Sequence, residues 1–269
     1  MGTDDSNQNL PTLKEDEAGG AAEIKSLLQK FCVKSGWIDA LNLDECFNQS
    51  TSTPTLVTFG QQPHFSSDLI VVLDLDDCLV HTVPVGKSLD GSNGEEILGP
   101  VILLRPGLVE ILRTTMARYE THVFTASESG YADFILDALV KVVGLPFAGR
   151  WYRQHCTKLS SGKDDIYTKD LGALVISDSL CKMVLVDNNV VSFRANPSNG
   201  IPIRDFGGDA SDESLKSLTD FLSTLETVDD VRPLLDKRFG VESLLEKYTH
   251  FSDWFSILML AFDLDKRQL

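Results

Sequence analysis

The sharpest pattern along the chain is a set of short apolar runs, each broken off by a small polar residue. Leu69-Ile70-Val71-Val72-Leu73 stops at Asp74, His122-Val123-Phe124 stops at Thr125, and Met183-Val184-Leu185-Val186 stops at Asp187. Unbroken apolar runs of this length predict strands buried on both faces, because a half-exposed strand would alternate instead. Helical spacing fills the intervals. After Pro106, Leu108, Ile111, Leu112, Met116 and Tyr119 recur on one helical face; Tyr131, Phe134, Ile135 and Leu139 do the same and stop at Gly144 and Pro146. A short strand at Ile201–Ile203 then precedes a helix carrying Leu215, Leu218, Phe221, Leu222 and Leu225, with Ser211 as its expected cap and Asp212 and Glu213 in its first turn. Strands alternating with helices predict an α/β fold, a doubly wound and mainly parallel sheet with helices on both faces. Such sheets bind their ligand beyond the carboxyl ends of the strands, so Asp74, Thr125 and Asp187 are expected in one crevice.

The flanks read differently. Residues 1–20 are polar and acidic and predict a disordered tail. Ile24, Leu27, Leu28 and Phe31 share a helical face, so 21–56 reads as an N-terminal helix followed by the Ser/Thr/Pro-rich linker Asn48–Pro54. The main domain is expected over 57–238. Phe251, Trp254, Phe255, Ile257, Leu258, Leu260 and Phe262 are too dense for an exposed helix, so 239–269 is expected to be a helical extension packed on the domain; self-association through that apolar helix is the alternative.

Charge and cysteine usage narrow the partners. The 269 residues carry a formal net charge of −16, which disfavours nucleic acid because phosphate backbones are held by Lys and Arg. No apolar run approaches the ~20 residues of a membrane helix, so no stable span is expected. The start, MGTDDSNQNL, lacks the basic and apolar regions of a secretory signal. Five scattered cysteines form no CxxC pair, which argues against a disulfide framework or a zinc site and for an intracellular setting, cytoplasmic or nuclear. Met1-Gly2 with Ser6 meets the myristoylation pattern, but Asp4, Asp5 and the lack of a basic patch argue against modification.

The candidate chemistry lies in Asp74-Leu75-Asp76-Asp77, three carboxylates directly after a buried strand. Like charges this close repel, and such a cluster persists through a bound cation, a shared proton or full solvation. An oxygen-only donor set suits magnesium or calcium, and magnesium where few carboxylates bind together with a phosphate.

Val72-Leu73-Asp74-Leu75-Asp76-Asp77-Cys78-Leu79-Val80-His81-Thr82 resembles the first motif of the haloacid dehalogenase superfamily. More narrowly, it resembles the small phosphatases acting on the RNA polymerase II C-terminal domain and their NLI-interacting-factor-like relatives. The resemblance continues through Leu104-Arg105-Pro106-Gly107, Val123-Phe124-Thr125-Ala126-Ser127 with Tyr131 and Ala132 downstream, Tyr167-Thr168-Lys169-Asp170-Leu171, and Val186-Asp187-Asn188-Asn189, in order, over roughly 60–235. It implies a HAD-like Rossmannoid with a small β insertion after the first motif. It also implies a Mg2+-dependent protein serine/threonine phosphatase whose substrate is a phosphoprotein. Asp74 would attack phosphorus and form an aspartyl-phosphate. Asp76 would protonate the leaving alcohol and then deprotonate water, a role that needs a pKa drawn towards neutrality. Mg2+ would be held by the Asp74 carboxylate, the Asp76 backbone carbonyl and the Asn188 side chain, with Asp187 nearby orienting metal-bound water or the lysine. Thr125 and Lys169 would hold the phosphoryl oxygens, and Tyr131 and Arg153 would meet the substrate. On residue type alone, Lys158, Lys163 and Lys182 stand level with Lys169; the resemblance singles out Lys169.

Some positions depart from the family pattern. Cys78 stands where Thr or Val is usual; it is expected to fill that space, and a reactive thiol there would need a lowered pKa. Pro84 and Glu128 fall where the polymerase-directed enzymes have large apolar residues, and the loop with Asp90, Gly91, Gly94, Glu95 and Glu96 is short. Phosphatase chemistry is therefore better supported than polymerase as the substrate, and Glu128 is expected to disfavour highly acidic phosphopeptides. Two alternatives are a small-molecule phosphate-ester hydrolase and a catalytically weak binding relative. The absence of a large insertion between the motifs argues against the first, and retention of Asp74 and Asp76 against the second.

Overall fold

The structure, a computed structural model, describes residues 65–83, 101–159, 166–174, 180–247 and 268–269. The first apolar run forms β1 (Ile70–Leu73), whose residues are all buried, so both faces of the strand are covered. The chain then makes a tight loop, a short strand β2 (Val80–Val83) and its antiparallel partner β3 (Val101–Leu104), the small β insertion expected after the first motif. Helix α1 (Leu108–Arg118) follows, entered through Gly107 at φ 77°, a left-handed turn that glycine adopts without a Cβ clash. Next come β4 (Glu120–Phe124) and α2 (Ser129–Val143), which ends at left-handed Gly144. Beyond it lie β5 (Gly149–Trp151), the small antiparallel pair β6 (Thr157–Lys158) and β7 (Tyr167–Thr168), β8 (Met183–Asp187) and β9 (Gly200–Pro202). Helices α3 (Ser214–Leu225), α4 (Arg232–Phe239) and α5 (Val241–Lys247) complete the described chain.

The main sheet has five strands in the order β5-β4-β1-β8-β9, all neighbours parallel. β1 is central, and Leu73 lies level with Val123 and Val186. One step further along, Asp74 and Asp187 therefore share a level at the carboxyl end, with Thr125 just beyond the end of β4. α1 packs against α2 and α3, while α5 packs against the 3-10 turns Val190–Ala195 and Pro197–Asn199 that follow β8. Val241, Leu244 and Leu245 of α5 belong to the same apolar core as the sheet.

The expected start of α3 is overturned: the helix opens at Ser214 with Glu213 as its N-cap, so neither Asp212 nor Glu213 lies in its first turn. Ser211 does not cap α3: its hydroxyl donates to Asp209 Oδ1 at 2.8 Å, and Asp212 Oδ1 instead accepts the Ser214 backbone N–H at 2.9 Å. The reason is Arg105, whose guanidinium grips both Asp212 oxygens at 2.8 Å and holds that carboxylate at the helix entrance.

No helix among the described residues is long and apolar enough to cross a membrane. The expectations for the acidic tail, the N-terminal helix and linker, the loop carrying Pro84 and Asp90–Glu96, and the apolar segment Phe251–Phe262 lie outside the described residues.

Candidate active site

The carboxyl ends of β1, β4 and β8 meet around one buried lysine. Lys169 follows β7, and its backbone is tied to the turn after β8 by its N–H to Ser192 O at 3.1 Å. Its ammonium donates to Asp74 Oδ1 at 2.5 Å and to Asp187 Oδ2 at 2.6 Å, and lies 5.8 Å from the centre of the Phe124 ring. Asp74, Lys169 and Asp187 are all buried. Burial pushes the Asp74 carboxyl up to about 8, Asp187 adds to the rise, and Lys169 opposes it. Burial would lower the lysine, but Asp187 and Asp74 more than offset that and keep it charged. Two desolvated carboxylates thus share one ammonium, and the site is short of positive charge. Lys182, by contrast, pairs with Asp68 at the opposite end of β1, and Lys158 is exposed on β6.

Asp76 is held separately. The loop after β1 turns through Asp77 at φ 56°, a left-handed position that Asp tolerates better than most residues. Asp77 N–H donates to Val80 O at 2.7 Å and Val80 N–H to Leu75 O at 3.1 Å. Those bonds bracket Asp76, and its own carbonyl has no backbone partner among the described residues. The Asp76 carboxylate accepts the Tyr131 hydroxyl at 2.5 Å and the Ser127 hydroxyl at 2.6 Å, with Thr125 Oγ1 at 3.5 Å. Tyr131 in turn meets Thr82 Oγ1 at 2.6 Å, and burial together with Asp76 raises its phenol well above the ordinary tyrosine value. The Tyr131 hydroxyl, expected to face a substrate, is thus engaged by Asp76 and Thr82.

Asn188, next to Asp187, donates from Nδ2 to Asp205 Oδ1 at 2.7 Å. Arg153 lies beside the loop after β4: its Nε donates to Ala126 O at 2.6 Å, and an Nη1 donates to Glu128 Oε1 at 2.9 Å. Its guanidinium also sits 5.6 Å from the Tyr167 ring centre, so Glu128 neutralises it at the rim. Cys78 is fully buried, and burial followed by Asp74 pushes its thiol well above the ordinary value, opposite to what a reactive thiolate requires.

The donor set suits a small hard cation. Among the described residues no group of three or more His, Cys, Asp or Glu side chains is poised as a metal cage. What the loops offer is mixed oxygen: Asp74 Oδ2 and the Asp76 carbonyl, neither of which accepts a hydrogen bond among the described residues, and the Asn188 amide. With surplus buried negative charge behind it, this set fits Mg2+ better than a softer metal.

Ser127, Thr82 and Asp205 went unassigned at the level of sequence. Ser127 could have been found as the hydroxyl following Thr125 in the same strand-end loop. Nothing local marks Thr82 or Asp205, which arrive from the β insertion and from the segment after β9.

A family model described as NLI interacting factor-like phosphatase matches residues 69–232. The chain is 35% identical over 177 residues to nuclear envelope morphology protein 1 of Schizosaccharomyces pombe, covering 63% of this chain and 36% of that protein. It is 35% identical over 181 residues to CTD nuclear envelope phosphatase 1B of Danio rerio, covering 62% of this chain and 71% of that protein. It is 30% identical over 208 residues to CTD small phosphatase-like protein 2 of Dictyostelium discoideum, covering 74% of this chain and 34% of that protein. The chain therefore spans about a third of the length of the fission yeast and Dictyostelium relatives.

Proposed function

The chain belongs to the NLI interacting factor-like phosphatase family, and from that premise we propose that it is a Mg2+-dependent protein serine/threonine phosphatase working through an aspartyl-phosphate. The observation that carries this reading is the division of labour between two carboxylates. Asp74 is buried against Lys169 with one oxygen left open, while Asp76 is held apart by Tyr131 and Ser127.

In this reading the Asp74 carboxylate attacks phosphorus and the bond from phosphorus to the serine or threonine oxygen breaks. Asp76 gives its proton to the leaving alcohol. Water then attacks the acyl-phosphate, Asp76 takes the water proton, and inorganic phosphate leaves with Asp74 regenerated. Lys169 and Thr125 receive the phosphoryl oxygens, and Asp187 keeps the ammonium on station. Mg2+, held by the Asp74 carboxylate, the Asp76 carbonyl and Asn188, would when bound supply charge neutralisation, on which phosphoryl transfer chiefly depends. We place this work inside the cell, in cytoplasm or nucleus, consistent with the scattered cysteines and with the nuclear-envelope names of two relatives.

Hydrolysis of an aryl phosphate by the full chain, with and without Mg2+, tests the proposal. Turnover should require Mg2+ and be lost in Asp74→Asn. Equal turnover in wild type and that variant would eliminate the mechanism.

A further inference from the structure

We infer that Asp205 is a positioning residue for the divalent ion: its carboxylate fixes the Asn188 amide so that the amide oxygen, not the nitrogen, is presented to the metal. The inference rests on the metal reading proposed above and concerns a residue that reading does not use. Asn188 Nδ2 donates to Asp205 Oδ1 at 2.7 Å. A carboxylate only accepts, so the amide nitrogen must face Asp205 and the amide oxygen must point elsewhere. Without such a partner the two ends of an asparagine amide are nearly equal in shape, and rotation about its broad terminal torsion exchanges them. A hard cation takes only the oxygen, so each turn of the wrong sense removes a ligand.

Asp205 is exposed, and what fixes it is the backbone on either side. Ile203 N–H donates to Asp187 O at 3.1 Å, and Phe206 N–H donates to Asp77 O at 2.7 Å. Between them Arg204 O accepts Arg105 Nη2 at 2.8 Å, and the same buried guanidinium donates to Cys78 O at 2.8 Å. Residues 203–206 therefore form a strap from the end of β8 to the loop after β1, tied at three of its four positions. Among the described residues Asp205 is the untied one, and its side chain reaches the Asn188 amide.

Titration of Mg2+ into the full chain by isothermal calorimetry, comparing wild type, Asp205→Ala and Asp205→Asn, tests this. Loss of an outer partner of a ligand should weaken Mg2+ binding by roughly 10–100-fold in Asp205→Ala. Asp205→Asn loses the charge but keeps an oxygen that can accept from Asn188, and should recover most of the affinity. A Kd for Asp205→Ala within about twofold of wild type would overturn the inference. So would an Asp205→Asn variant as weak as Asp205→Ala, because charge rather than orientation would then be responsible. Wild type that fails to bind Mg2+ would instead bring down the metal reading itself, a result distinct from binding that is indifferent to Asp205.

Discussion

Lys169 is held between two carboxylates at 2.5 and 2.6 Å with almost no access to water, which makes it the most exacting residue of the site. Removing one member of a buried ionic group strands the others, so Lys169→Met is expected to destabilise the fold by about 3–5 kcal/mol as well as abolish turnover. Urea unfolding followed by circular dichroism measures the first effect; a midpoint unchanged from wild type would show that the carboxylates do not depend on the ammonium. His122 makes a different demand. It is buried on β4, its Nε2 meets Glu120 Oε1 at 2.9 Å, and its ring centre lies 4.9 Å from that of Trp151. Its Nδ1 is the one buried side-chain polar atom without a partner among the described residues. Burial lowers its pKa from the ordinary 6.5, against the pull of Glu120. The unfolded chain therefore takes up the proton first, and stability should fall as pH drops from about 6.5 through the lower folded value. Thermal melts over that range should show the loss in wild type and a shallower slope in His122→Phe; identical slopes would refute the assignment.

The elements owe their junctions to one buried arginine. Arg105 donates to Cys78 O in the loop after β1, to Arg204 O in the strap after β9, and to both oxygens of Asp212 at the start of α3. With its side chain fully buried and that of Asp212 10% exposed, the pair lies in the range where removing one partner costs several kcal/mol. Arg105→Ala should lower stability by about 3–5 kcal/mol, and Arg105→Lys should recover little because an ammonium cannot reproduce a bidentate fork. Substantial rescue by lysine in denaturant titrations would show that charge alone matters there. The strands and first helices were legible beforehand because buried parallel strands and amphipathic helices write their periods into the sequence. The entry to α3 was not: Ser211 reads as a good cap locally, and only the distant Arg105 holds Asp212 at the helix entrance.

At the scale of the molecule, a net charge of −16 sets a repulsive field for a dianionic phosphate, reinforced at the rim by Glu128, which neutralises Arg153. Encounter with an acidic phosphopeptide should therefore be slowed at low salt. Its kcat/KM should rise severalfold as ionic strength increases and the field is screened, while that of a basic phosphopeptide falls. Two substrates with the same salt slope would show that this field does not reach the site. The ordered motifs already carried the family likeness, because each is a short run whose residues are held together covalently. The apolar runs likewise foretold that Asp74, Thr125 and Asp187 would meet, since parallel strands in register bring their ends to one level. Residue type left four lysines level and the motif resemblance singled out Lys169; folding alone decided that Tyr131 and Ser127 would hold Asp76, and that Asp205 would reach Asn188. Those contacts join segments far apart along the chain, and a one-dimensional pattern records the character of each partner but not the distance between them.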